Sequence, residues 1–172
     1  MNNQHILDEL TSSDWYRVTD MLSRLSAEKD DMPSPEVFQQ MIDLMSDGDP
    51  DIRHLAVFAA GLHWQHRPAL PRIIAILNDT AEAPHVQGCA ANALGTIAHN
   101  DETIRDRAVR ELVKVAVNAM MPQDVRDAAY TSALWADHRV NAGEREERSV
   151  PQDQNDADWV WLSTVLRGVE NA

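Results

Sequence analysis

Three segments of the sequence begin in the same way, and this internal repetition limits the fold more than any other feature. After each of the β-branched residues Ile52, Val86 and Val125, the next position holds arginine or glutamine and the fourth position holds alanine. Small side chains also occupy the seventh and eighth positions, except at Leu94. The three starting points lie 34 and 39 residues apart (86 − 52 and 125 − 86). Periods of this length are typical of stacked two-helix units, so the sequence predicts an array of helix pairs.

A second kind of helix is predicted before each of these segments. Its members carry a stripe of Leu, Ile, Val and Met, and they occupy 35–47, 69–79 and 103–119. Each leads after a turn into a helix rich in small residues, predicted over 51–64, 84–98 and 123–137. The apolar residues are mostly helix-compatible rather than β-branched and aromatic, which also favours an all-α fold.

The stretches LMSDGDPDIR (44–53) and VQGCAANALGTI (86–97) resemble the HEAT repeat, in particular its short HEAT-like form. The resemblance implies an all-α, right-handed α-solenoid with about three helix pairs over 35–138, within one compact domain. Because each unit presents an apolar face to the next, the ends need caps, which we place in an N-terminal capping region over 1–34 and a C-terminal capping helix over 159–172. The polar and charged composition predicts an acidic linker over 139–158. The sequence departs from the pattern at Gln87, where arginine is usual, in the longer TAEAP turn, and in a third unit that lacks the glycine.

The helix predicted over 84–98 has very little side-chain bulk. A helix that lies between its own partner and neighbouring repeats needs alanine and glycine, because these let helix axes approach to about 8 Å, the short end of the usual range. A small-residue membrane helix is the alternative, but Asn92, His99 and Asp101 interrupt the apolar run.

The charge of the chain excludes some classes of partner. Acidic residues outnumber basic ones by 28 to 15, which gives a formal charge of −13 at pH 7. Such a surface repels phosphate backbones and attracts basic partners, so we expect no direct nucleic-acid binding. Some HEAT-like proteins are DNA-repair glycosylases, but those depend on a basic groove, and we do not expect that activity here.

The sequence also predicts a cytoplasmic protein with no membrane association. The single cysteine, Cys89, cannot form an internal disulfide. The N-terminus lacks the pattern of a signal peptide, and no apolar stretch approaches the roughly 20 residues needed to cross a bilayer.

No catalytic or metal-binding pattern stands out, so we expect neither enzymatic activity nor a cofactor. His63 and His66 form an i, i+3 pair, but two imidazoles seldom hold zinc without further ligands. Cys89 occupies a small-residue position and is predicted to fill the core. We expect Asp47 and Asp79 to bind turn amides or to pair with an arginine of the next helix, with Asp47 and Arg53 as the favoured pair.

In HEAT-like solenoids the second helix of each pair lines the concave face, which binds partners. The residues predicted to lie on that face and to bind a partner are Arg53, His54, Phe58, Gln87, Asn92, Arg126, Asp127, Tyr130 and Thr131. Phe58 and Tyr130, with Trp64 and Trp135 near helix ends, could be aromatic anchors of a contact. The alternative for Phe58, Trp64 and Trp135 is burial beneath neighbouring loops.

Charge, length and fold resemblance together favour a non-catalytic protein-binding module. The concrete hypothesis is an immunity or antitoxin protein that neutralises a basic toxin domain, such as a nuclease. The alternative is a HEAT-like accessory or adaptor subunit of a larger enzyme, of the lyase or cofactor-attachment type. A toxin inhibitor should associate with its target at a rate that falls steeply with salt, whereas an adaptor with an apolar face should depend on salt only weakly. The sequence leaves the oligomeric state open.

Overall fold

The computed structural model describes residues 2–28, 31–141, 149–151 and 156–170. Within these ranges all regular structure is helical and no strand occurs, which confirms the all-α prediction. The elements are α1 (Asn3–Leu10), α2 (Trp15–Ala27), α3 (Pro35–Leu44), α4 (Pro50–Ala56) with a π-helical continuation (Val57–His63), a 3₁₀ turn (Arg67–Ala69), α5 (Leu70–Asn78), α6 (Pro84–Asn100), α7 (Glu102–Val117), α8 (Gln123–Ala136) and α9 (Ala157–Glu170).

Several helices begin at residues whose side chains can cap them. Ser34 precedes Pro35 at the start of α3 and accepts a hydrogen bond from the Val37 N–H. Helix α2 is capped by Asp14, whose carboxylate accepts the Tyr16 N–H at 2.9 Å.

By its internal contacts the chain divides into two compact units, Met1–Ala93 and Leu94–Ala172, and the division falls within α6. In the N-terminal unit, α2 and α3 both pack against α4 and its π-helical continuation. In the C-terminal unit, α7 packs against α8 and also contacts α9. The predicted linker 139–158 lies largely outside the described residues. The predicted single-domain organisation therefore stays a prediction.

The small residues of the repeated segments lie in the core. Ala56, Ala90 and Ala129, the fourth positions of the three segments, are fully buried. The seventh and eighth positions are buried as well. This burial agrees with the prediction that alanine-rich seams hold the helices together.

Two glycines at the ninth position mark close approaches between helices. A Cβ added at Gly61 would lie 2.8 Å from Ile73 Cδ1 and 2.9 Å from Ala93 Cβ. A Cβ at Gly95 would lie 2.7 Å from Ser132 Cβ and 2.8 Å from the Ser132 carbonyl oxygen. Neither position has room for a methyl group without movement, which explains why the helices need glycine there.

The π-helical segment brings two side chains back to the end of α2. The Trp64 N–H bonds to the Ala59 carbonyl, five residues earlier, at 3.0 Å. The indole N–H of Trp64 donates to the Leu25 carbonyl at 2.9 Å, and the His63 ring reaches the Glu28 carbonyl at 2.5 Å. These contacts satisfy carbonyls at the end of a helix, which otherwise lack partners. Trp64 is therefore half-buried and has a structural role.

Candidate protein-interaction surface

In the N-terminal unit, α4 and α6 present a group of side chains outward beside one another. The His54 and His85 ring centroids lie 5.5 Å apart, and His85 Nε2 lies 3.6 Å from Asp51 Oδ1. Phe58 follows His54 by one helical turn and is 36% exposed. Asn92 follows His85 by two turns on α6 and is partly exposed. We call this group, composed of Asp51, His54, Phe58, His85 and Asn92, the Phe58 surface.

Arg53 lies apart from the Phe58 surface and braces the unit from within. Its guanidinium donates to both carboxylate oxygens of Glu82, at 2.8 and 2.5 Å, and to the Asp47 carbonyl at 2.7 Å. The pair is largely inaccessible, with 16% of the Arg53 side chain and 5% of the Glu82 side chain exposed. These hydrogen bonds raise the pKa of Arg53 and lower the pKa of Glu82.

The predicted pairing of Arg53 with the Asp47 carboxylate is therefore wrong in its acidic partner. The carboxylate of Asp47 accepts the Asp49 N–H at 2.8 Å, which is the turn-amide role also predicted for it. Asp79 does the same for the Ala81 N–H at 2.9 Å. The acidic partner of Arg53, Glu82, stands 29 residues further along the chain, in an irregular turn, where no spacing rule would have indicated it.

Gln87 is buried and cannot meet a partner in this structure, so we remove it from the candidate surface. Its side-chain N–H groups donate to the Leu77 and Asp79 carbonyls at 3.3 and 2.8 Å. Arg126 makes the equivalent contact with the Ala116 carbonyl at 3.0 Å. In all three repeats, the residue after the β-branched position thus binds a carbonyl at or just beyond the end of the preceding helix. This shared role explains why glutamine can replace arginine at position 87.

In the C-terminal unit, two of the candidate residues of α8 bind the chain's own C-terminal segment. The Tyr130 hydroxyl donates to Asp158 Oδ2 at 2.5 Å, and the Val150 N–H donates to Asp127 Oδ1 at 2.8 Å. Tyr130 and Thr131 are buried, and Arg126 and Asp127 are half-buried. The sequence placed these four residues on an open face. We remove them from the candidate surface because they are buried or already bound within the unit. The sequence did not indicate these contacts.

Nearby in the C-terminal unit, Trp135 stacks on His99, with ring centroids 3.8 Å apart. His99 Nδ1 reaches the Trp135 carbonyl at 2.9 Å. Trp135 is half-buried, so packing within the unit already engages much of this side chain.

The histidines at 63 and 66 have separate surroundings. While His63 binds the Glu28 carbonyl, His66 stacks on Phe38 with ring centroids 3.9 Å apart. Burial lowers the pKa of His66. Within residues 2–28, 31–141, 149–151 and 156–170, no three His, Cys, Asp or Glu side chains form a group that could hold a metal ion.

Cys89 is buried on α6, as predicted, with its sulfur 3.9 Å from the His54 carbonyl. Burial raises the pKa of the Cys89 thiol to about 12. Since the thiolate is the reactive form, this cysteine is chemically inert in the folded unit.

An exposed aromatic pair at the start of α2 was not among the predicted site residues. The i, i+3, i+7 and i+10 spacing of Trp15, Val18, Leu22 and Leu25 puts Trp15 on the same helix face as three buried residues. Trp15 is nevertheless 40% exposed, and Tyr16 is 77% exposed. A signal was present for Tyr16, since it lies outside the i, i+3, i+7 spacing of the buried residues on α2.

Comparison with known families decides which family the repeats represent. A family model described as HEAT repeats matches residues 38–134, more than half of the chain. The chain belongs to the HEAT repeat family. HEAT repeats are consistent with the expected all-α solenoid and suggest a protein-interaction or adaptor module. An all-helical HEAT fold is typically a non-catalytic scaffold.

The remaining comparisons add no relative. Neither a curated protein nor a solved structure matches this HEAT repeat chain. Among its described helices, none has the length and apolar character required to cross a membrane.

Proposed function

We propose that this HEAT repeat protein binds a basic protein domain through the Phe58 surface and has no catalytic activity of its own. The observation that carries the proposal is the exposure of Phe58 on a surface that also presents the Asp51 carboxylate, in a chain of formal charge −13. Exposed aromatic side chains often dominate the energy of a protein contact. Acidic side chains around them increase the rate of encounter with a basic partner.

The concrete role that we propose is that of an immunity or antitoxin protein that covers a basic toxin domain, such as a nuclease. Size, acidity and a recognition fold support this role over an adaptor role, since an adaptor does not require so acidic a surface. In this role the protein would act in the cytoplasm.

The first experiment is affinity capture from the source cell with the wild-type chain and Phe58→Ala in parallel, followed by mass spectrometry. We expect a basic protein to be captured by the wild type and depleted with Phe58→Ala. Met120→Ala is the matched control, because Met120 is 88% exposed in the other unit. A neutral or acidic partner, or equal capture by Phe58→Ala, would contradict the proposal.

Binding kinetics with the captured partner then separate the contribution of the Phe58 side chain from that of the Asp51 charge. Phe58→Ala should weaken affinity by about tenfold through faster dissociation, which corresponds to about 1.4 kcal/mol. Asp51→Asn should instead slow association and reduce its dependence on salt. An association rate that is insensitive to salt between 50 and 300 mM, concentrations chosen to change screening severalfold, would favour the adaptor role.

A further inference from the structure

Trp15 and Tyr16, at the first turn of α2, expose more aromatic surface than their helix requires. Further along α2, Val18, Leu22 and Leu25 are buried in the N-terminal unit, while Trp15 is 40% and Tyr16 is 77% exposed. Exposed large apolar side chains that lie together are typical of an interaction site. Trp and Tyr are also among the residues most enriched at the energetic centres of interfaces.

Hydrogen bonds of the helix cap fix the backbone that carries the aromatic pair. Asp14 accepts the Tyr16 N–H at 2.9 Å, and Ser12 Oγ accepts the Asp14 N–H at 3.1 Å. The two rings lie edge-to-face, with centroids 5.1 Å apart and planes at 88°. Because an edge-to-face contact covers only one ring face, open aromatic faces remain for a ligand. A preformed site of this kind loses little conformational entropy on binding.

The charge around the pair favours a cation. Residues 8–20 contain four carboxylates, those of Asp8, Glu9, Asp14 and Asp20, but only one basic side chain, Arg17. Glu9 holds Arg17 with two hydrogen bonds, at 2.7 and 2.8 Å. On the next turns of α2, Arg24 pairs with Asp20 at 2.9 Å. The arginines of α2 therefore neutralise carboxylates of the same region, and the balance over residues 8–20 stays negative.

We propose that the Trp15–Tyr16 pair is a docking site for an arginine side chain of a basic protein partner. A guanidinium is flat and weakly hydrated, so it stacks on an indole or phenol ring and can pair with a carboxylate at the same time. Asp14, next to Trp15 in the chain, is the carboxylate assigned to that role. A lysine ammonium would be attracted by the charge but would stack poorly. This site lies on α2 and stands independently of the Phe58 surface.

Nuclear magnetic resonance of the full chain tests the assignment directly. With ¹⁵N-labelled indole groups, the Trp15 signal is identified by its loss in Trp15→Phe. Hexa-arginine should shift this signal in a saturable way, and hexa-lysine should require at least threefold higher concentration for the same shift. An unmoved Trp15 signal, or equal affinity for the two peptides, would overturn the proposal.

Variants then locate the site. Tyr16→Ala should weaken hexa-arginine binding at least threefold. Asp14→Asn removes the carboxylate charge but still caps α2 and so keeps the aromatic pair in place, and it should weaken binding to a smaller extent. Met120→Ala, which changes an exposed side chain in the other unit, should leave the affinity unchanged. Unchanged affinity in Tyr16→Ala, with the helical circular dichroism retained, would show that the peptide binds elsewhere and would overturn the assignment. Since a synthetic peptide is the probe, this result is separate from that of the capture experiment on Phe58.

Discussion

Helices α4 and α8 begin with the same repeat pattern, yet their outward positions have opposite fates. The sixth position after the β-branched residue is Phe58 in the π-helical continuation of α4, which is 36% exposed, and Thr131 on α8, which is 8% exposed. At the second position, His54 lies beside another imidazole, whereas Asp127 accepts the main-chain N–H of Val150. The difference shows that the repeat register places a side chain outward but does not decide whether that side chain meets solvent. Exposure of that side chain depends on whether another segment of the chain packs over it.

The inward positions of the same helices differ much less. Arg53 and Arg126 both donate to a carbonyl close to the end of the preceding helix. Only Arg53 adds a carboxylate partner, Glu82, so the N-terminal unit is braced by an ion pair as well as by a helix-end hydrogen bond. Repeat positions with a structural duty are thus more uniform than those left for binding.

The substitution with the largest expected effect removes the Arg53–Glu82 ion pair. Glu82→Gln leaves the mostly buried Arg53 guanidinium without its hydrogen-bonded carboxylate, so we expect a loss of about 3 kcal/mol in the free energy of unfolding. Urea denaturation followed by circular dichroism measures it. Gln123→Ala, which removes a weaker contact to Arg126 in the other unit, should cost under about 1 kcal/mol. Equal losses in the two variants would contradict the contrast between the units.

Substitutions at Gly61 and Gly95 compare how tightly the helices pack in the N-terminal and C-terminal units. Gly95→Ala would place a methyl against the Ser132 backbone, which cannot move alone, and should cost about 2 kcal/mol even after the gain in helix propensity. Gly61→Ala meets Ile73 Cδ1, the flexible end of a side chain, together with the Ala93 methyl, and should cost about 1 kcal/mol. Thermal unfolding ranks the two variants, and the reverse order would show that the Ala93 contact dominates.

Tyr130→Phe tests the contact between α8 and the C-terminal helix α9. Loss of the hydroxyl removes the hydrogen bond to Asp158 and should cost about 1 kcal/mol. Hydrogen–deuterium exchange should become faster in 157–168, whereas peptides of α4 should be unchanged. Asp158→Asn should act through the same contact, so the double variant should cost less than the sum of the single ones. Strict additivity would indicate that the two side chains act independently.

The smallest effect concerns acid sensitivity in the N-terminal unit. Burial lowers the pKa of His66, so the unfolded chain binds a proton more readily than the folded chain does. The contribution of His66 to stability is therefore present above the ordinary histidine range, near 6.5, and is lost as the pH falls through it. His66→Phe keeps an aromatic stack on Phe38 and should reduce the fall in unfolding temperature between pH 7.5 and 5.5. An unchanged pH profile would assign this acid sensitivity to other groups.

The periodic part of the fold could be predicted from the sequence. The helices expected over 84–98 and 123–137 are found at Pro84–Asn100 and Gln123–Ala136, and their alanines are buried as expected. Helix α1 was not predicted, because eight residues with Ile6 and Leu10 as the buried positions are too few to reveal a period. The π-helical shift after Ala56 also leaves no clear trace in residue spacing.

The candidate site was less predictable, because it depends on contacts between distant parts of the chain. His54, Phe58 and Asn92 remain together on the proposed surface, while Gln87, Tyr130 and Thr131 are buried by other elements. The Tyr130 contact with Asp158 spans 28 residues, part of them in a polar stretch with no periodicity. Local patterns specify which way a side chain leaves its helix, and long-range closure decides what it touches.

The burial of Cys89 gives the chain a built-in reporter of its own opening. It is the single cysteine in the sequence, so a thiol-reactive dye has one place to attach. Because the thiol is buried and burial raises its pKa, we expect labelling to be slow unless α4 and α6 separate transiently. The labelling rate therefore reports how often the two helices separate near His54 and His85. A ligand bound across both helices would slow the labelling.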